Sequence, residues 1–295
     1  MHFTRNLTEG PIPSDLSLDE LSEIRAKFII ERGWGEPENV RDLFSKRDSE
    51  LKNINKYDKV ILWFEHDLYD QLQIIQILDW IYENSPKGIQ LSIICTDKYL
   101  GRLTPDEIKG LVQHEEQITE AHLKLSNQAW TALRSNTPIK WCELLNMDTT
   151  ILPFLEGAVL RLLEEFPSSK NGLSRTAEQT LRILSNGERL PGRVFGKNQD
   201  LEERVFLGDG SFLVVLHELL ESETPLIVLS EGKMLNSLAI GDEKLAITPM
   251  GLDVLAGRVN WLELSTINRW IGGVHLKPSN IWCWNSSTRF IEKKA

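Results

Sequence analysis

Glu65, His66 and Asp67 set two carboxylates and an imidazole side by side, directly after the apolar run ILWF and directly before the helical pattern LYDQLQIIQILDW. Asp70 and Gln71 follow within one turn of that pattern, and Thr96 and Asp97 hold the matching place after a second apolar run, LSIIC. Four carboxylates and an imidazole in one neighbourhood repel one another unless a cation or protons relieve them. Three kinds of chemistry answer that repulsion. In the first, Glu65, Asp67 and Asp97 hold a hard divalent cation, Mg²⁺ or Mn²⁺, while His66 and Asp67 act as acid or base on a phosphorylated substrate. In the second, the carboxylates bind substrate hydroxyls or a ribose without metal, helped by Asp70, Gln71 and Thr96. The third is purely structural: Asp67 caps the helix, Asp70 complements its dipole, and Glu65 and His66 bond to nearby loops. Adjacent residues on an extended chain point to opposite faces, so Glu65 and His66 share a pocket only if the chain turns there.

The elements around these residues decide whether they meet. YDKVILWF and QLSIIC are short, continuous apolar runs, the signature of strands buried on both faces. Between them Leu68, Leu72, Ile75, Leu78 and Ile81 recur at three- and four-residue steps, which predicts an amphipathic helix over roughly 68–83. Strand, helix and strand so close together imply two parallel strands. Both acidic groups then fall outside the carboxyl ends of those strands, where open α/β sheets bind ligands. Helices are also expected over 18–29, capped by Ser14 or Asp15 and stopped by Gly33, and over 37–52. Two more follow Thr104 and Pro105, and another covers 152–166. The expected class is an α/β domain over 1–166 with a short parallel, Rossmann-like sheet.

PSSKNGLS, 167–174, breaks the pattern and reads as a linker. Beyond it, Thr176 and Gln179 fit a capping box for TAEQTLRIL, and Asp209 a cap for a helix to about 222. TPLIVL and KLAITP then suggest a hairpin, and TPMGLDVLAG a helix stopped by Gly257. Helix, helix, helix, hairpin, helix is the order of a winged helix-turn-helix. An α+β, winged-helix-like domain is therefore expected over 175–295, closed by a Trp-rich, strand-rich end.

Composition narrows the function classes. The hydrophobic fraction of 41% supports packed cores. No apolar run reaches the ~18 residues of a membrane span, and MHFTRNLTEGP lacks the apolar core of a signal peptide, so the expected location is the cytoplasm. Residues 1–160 hold 17 Lys/Arg against 26 Asp/Glu, net −9, while 161–295 hold 16 against 17, net −1. The acidic half is a poor partner for a phosphate backbone. The helix FLVVLHELLES has no Arg or Lys, which favours a protein contact over DNA for the second domain. Cys95, Cys142 and Cys283 form no metal-binding pair and read as buried small residues. His114 and His122 read as solvated, His217 as a core or groove residue. Gly272–His275 lacks the context of a phosphate loop, and no nucleophile elbow, zinc-protease or P-loop motif occurs.

WFEHDLYDQLQIIQILDW, the AWTALRS helix, LPFLEGAVLRLLEEFPSSKNGLSRTAEQTLRIL and LAITPMGLDVLAG with RWIGGVHL together resemble a bacterial family of uncharacterised proteins. That family pairs an N-terminal α/β domain, marked by WFEHD-x-x-DQ, with a C-terminal winged-helix-like domain. The resemblance implies an architecture and no activity. Family members usually begin with one more strand bearing a Gly-Asp pair, upstream of the segment matched by NLTEGPIP. Its lack here would expose a sheet edge and remove part of the rim.

The expectation is a small phosphorylated or nucleotide-like ligand at the Glu65-His66-Asp67 strand end, with metal-assisted phosphoester chemistry as the reaction such a site would support. The rival expectation is a non-catalytic regulator whose winged helix contacts DNA or a protein.

Overall fold

The computed structural model describes residues 7–229 and 243–294. It is a mixed α/β protein with eleven α-helices and several small sheets among those residues. The chain divides into two compact units, one of Met1–Arg161 with Gly272–Val274, the other of Leu162–Ile271 with His275–Ala295.

The first unit opens with two helices, α1 (Leu18–Glu31) and α2 (Pro37–Lys52). The cap of α1 is Ser17 rather than Ser14 or Asp15. Its side chain accepts from Glu20 N–H while the Glu20 carboxylate takes Ser17 N–H at 2.8 Å, so two orphan donors are satisfied reciprocally. Strand β1 (Lys59–Glu65), helix α3 (Leu68–Asn84) and strand β2 (Gln90–Thr96) follow. β1 and β2 pair in parallel from Lys59↔Gln90 to Glu65↔Thr96, so their carboxyl ends are level. Helix α4 (Pro105–Leu111) starts with a Thr104–Glu107 capping box, and β3 (Glu116–Gln117) then pairs antiparallel with β2. The sheet order is β1-β2-β3, which leaves β1 at an edge among the described residues and makes the sheet mixed rather than purely parallel. Helices α5 (Glu120–Arg134), α6 (Ile139–Glu143) and α7 (Leu155–Leu163) complete this part of the chain.

α3 is more central than a single apolar stripe implies. Leu72, Ile74, Ile75 and Leu78 are fully buried, and Gln71, Gln73 and Gln76, which interrupt the stripe, are buried too. A helix enclosed on most of its circumference is a core element. At roughly 1.5–3 kcal/mol for each large aliphatic side chain removed from water, it anchors the unit. Its two ends are therefore held firmly, and the amino-terminal one lies at the rim.

The second unit contains α8 (Arg175–Ser185), α9 (Pro191–Gln199), α10 (Asp209–Glu221), the antiparallel strands β4 (Ile227–Leu229) and β5 (Leu245–Ile247), and α11 (Pro249–Leu255). Strands β6 (Arg269–Ile271), β7 (Val274–Leu276), β8 (Trp282–Asn285) and β9 (Phe290–Lys293) follow. Residues 230–242, which join the two strands of the expected wing hairpin, lie outside the described residues. Leu181, Val194, Phe212, Leu216, Leu219, Leu226, Leu245 and Val254 form one core. α11 sits close on the hairpin: a Cβ at Gly251 would overlap the Leu226 carbonyl oxygen, which is why glycine stands there.

Several local expectations change. The stretch 167–174 is not an open linker, because Asn171, Leu173 and Ser174 are buried and Trp261 N–H donates to the Asn171 carbonyl at 2.9 Å. Ser174, not Thr176, caps α8, since Thr176 lies inside the helix and its hydroxyl donates to the buried Glu165 carboxylate at 2.5 Å. Gly208 caps α10, and Asp209 is its first residue.

Candidate functional site at the ends of β1 and β2

The chain leaves β1 at Glu65 and turns directly into α3, so Glu65, His66 and Asp67 occupy the strand-to-helix junction. Asp67 is the N-cap: its Oδ1 accepts from Asp70 N–H at 3.1 Å. Asp70 reaches backwards and accepts from Glu65 N–H at 2.6 Å. Gln71 is buried and donates from Nε2 to the Glu65 carbonyl at 2.8 Å and to Cys95 Sγ at 3.4 Å, which ties the end of β1 to β2. Glu65 Oε1 accepts from Leu100 N–H at 2.7 Å. On β2, Thr96 Oγ1 accepts from Lys98 N–H at 3.2 Å, while Asp97 is exposed. The His66 ring is buried, with centroids 5.0 Å from Tyr99 and 5.8 Å from Phe154.

The two acidic segments thus end on one level rim. Among the described residues no three His, Cys, Asp or Glu side chains are grouped to hold a metal ion. Glu65, Asp67 and Asp70 each accept a backbone N–H, and Asp97 is exposed.

One electrostatic feature stands out. Burial pushes the Asp67 carboxyl up to about 7, its nearness to Asp70 and Glu65 adds to that, and the N–H groups of Asp70 and Tyr69 only partly oppose it. The proton itself relieves the crowding of carboxylates at this junction. Asp67 therefore exchanges a proton near neutral pH, the property required of a general acid or base. After β2 the chain carries Lys98, which is exposed, and Arg102, whose guanidinium lies over the Tyr99 ring at 4.7 Å.

Of the weaker candidates, His114 is exposed as expected, but His122 is buried. Its Nδ1 accepts from Thr119 N–H at 3.1 Å, filling the capping-box place of a Glu or Gln at the start of α5, and burial holds its proton affinity below the ordinary range. His217 pairs with Glu221 at 2.8 Å. Cys142 and Cys283 are buried, Cys95 only partly. Gly272 and Gly273 connect β6 and β7, and the His275 ring stacks on Trp270 at 4.4 Å. Sequence reasoning missed Tyr99 and Phe154 as neighbours of His66, since no local pattern links residues so far apart.

The fold and rim define a mixed α/β protein with a buried carboxylate, Asp67, at the carboxyl end of a parallel strand pair. The chain matches no family model, no curated protein and no solved structure. No helix among the described residues is long and apolar enough to cross a membrane.

Proposed function

We propose that the rim of β1 and β2, a small Rossmann-like site, binds a nucleotide-like ligand, with Asp67 giving and taking the proton of a ligand hydroxyl. The observation that carries this reading is Asp67 itself, lifted to about 7 at the strand end. Carboxylates suit ribose hydroxyls, and the half-buried Tyr99 offers an aromatic edge. Lys98 and Arg102 on the segment after β2 supply the positive charge that a phosphate needs. His66, buried at the same strand-to-helix junction, is the second group that can share the proton transfer. In keeping with the sequence resemblance, the protein acts in the bacterial cytoplasm.

Calorimetric titration with adenosine, AMP and ADP in excess EDTA tests the proposal. AMP or ADP should bind roughly tenfold more tightly than adenosine through charge-assisted contacts to Lys98 and Arg102, and Asp67→Asn should shift the pH dependence of that binding. Absence of binding for all three probes, or a pH profile untouched by Asp67→Asn, removes the reading.

A second reading rests on the second unit, where α8, α9 and α10 precede the β4/β5 pair and α11, the order of a winged helix. We take this module as a protein contact, because α10 carries Asp209, Glu218 and Glu221 and no Lys or Arg. Fluorescence anisotropy with duplex DNA at low salt should show no binding. Binding that weakens steeply with added salt would assign the module to nucleic acid instead.

A further inference from the structure

α1 and α2 run antiparallel. Asp19 meets Lys52 at 2.5 Å, Ser22 meets Asp48 at 2.5 Å, and Ala26 packs with Val40 and Phe44, so positions ascending on one helix descend on the other. Between them lies a cleft of about 480 Å³, within the usual size range of small-molecule sites. Its two walls carry opposite charge. Asp19 and Glu23 stand on the α1 side, Arg41 and Lys52 on the α2 side, and Ala26 and Phe44 give it an apolar end.

The floor is rigid and polar. Ser22 Oγ donates to Asp48 Oδ2, and Arg47 donates from Nε to Asp48 Oδ1 at 2.7 Å and from Nη2 to Ser22 Oγ at 2.6 Å. All three residues are buried. The rim is loose by comparison, because the Asp19–Lys52 and Glu23–Arg41 pairs are solvent-exposed and such pairs hold the helices only weakly. A molecule bringing its own ammonium and carboxylate can replace those partners at little cost. One carrying a single charge would leave one wall unmatched.

We propose that the cleft between α1 and α2 binds a small zwitterion, an amino acid or dipeptide, with its ammonium towards Asp19 and Glu23, its carboxylate towards Arg41 and Lys52, and its side chain against Ala26 and Phe44. The site is separate from the strand-end rim and does not depend on that reading.

The test is calorimetric titration of the full chain with each of the twenty protein amino acids and with dialanine. At least one should bind. The amide and the N-acetyl derivative of the strongest binder, each with a single charge, should bind at least tenfold more weakly. Glu23→Gln and Arg41→Gln, both at exposed positions, should each weaken the zwitterion about tenfold, while Asp67→Asn leaves it unchanged. The proposal falls if none of the probes binds, if the singly charged derivatives bind equally well, or if Asp67→Asn removes binding and Glu23→Gln does not. It also falls if sedimentation shows a dimer that Glu23→Gln dissociates, since a second copy would then fill the cleft.

Discussion

Replacing Asp67 with Asn should make the protein more stable at pH 8 and leave it nearly unchanged at pH 4. The folded carboxyl is lifted to about 7, whereas the unfolded chain releases the same proton near the ordinary value of 3.8. Between those values the folded state holds more protons than the unfolded state, so stability falls as pH rises. The contribution of Asp67 is fully present below the unfolded value and lost as pH passes through about 7. A displacement of this size corresponds to a ceiling of ~4 kcal/mol. Asn has no carboxyl to ionise and keeps a side-chain oxygen to accept Asp70 N–H, so the cap survives. Asp67→Ala, by contrast, loses the cap, a cost of about 1 kcal/mol. Asp79, pushed up to about 6 by burial, tilts the wild-type profile in the same direction, but it cancels in the difference between wild type and Asp67→Asn. Urea denaturation of both proteins at pH 4, 6 and 8 gives the answer. If the wild type is the more stable at every pH, Asp67 is a structural cap and its role as proton donor is lost. A carboxylate that weakens its own fold at neutral pH fits a site shaped by function.

Asp48→Ala is expected to cost about 3–5 kcal/mol, because it strands the buried Arg47 guanidinium without its counter-ion. Ser22 loses its acceptor in the same step. Exchanging the pair together, Arg47→Met with Asp48→Leu, should recover most of that loss, since desolvating two charges offsets much of their attraction. Guanidinium unfolding of the two variants separates these effects. A loss below ~1 kcal/mol for Asp48→Ala would mean that water reaches Arg47 and the floor of the cleft is not rigid.

Much of this architecture can be read from local patterns. β1, α3 and β2 follow from two apolar runs and one helical repeat, and their order implies the parallel pairing that levels Glu65 with Thr96. β3 could not be read, because two residues, Glu116 and Gln117, carry no periodicity and pair only through backbone bonds to β2. Sequence places carboxylates near one another but does not show which have already taken a backbone N–H, as Glu65 has from Leu100, 35 positions away. His122 was misjudged because its acidic neighbours suggest solvent, whereas its Nδ1 is occupied by the start of its own helix. The cleft between α1 and α2 gave no warning either. Arg47 and Asp48 look like surface residues of a charged helix until Ser22, 25 and 26 positions earlier, is brought against them.

The membership of Gly272–Val274 in the first unit bears on any attempt to produce the halves separately. Gly273 N–H donates to the Leu133 carbonyl at 2.8 Å, at the end of α5, and Gly272 adopts φ 55°. A recombinant piece stopping at residue 161 would forfeit that late-arriving loop and leave the last turn of α5 with an unmatched acceptor. Dividing the gene at one point therefore parts the first unit from three of its own residues, encoded more than a hundred codons downstream.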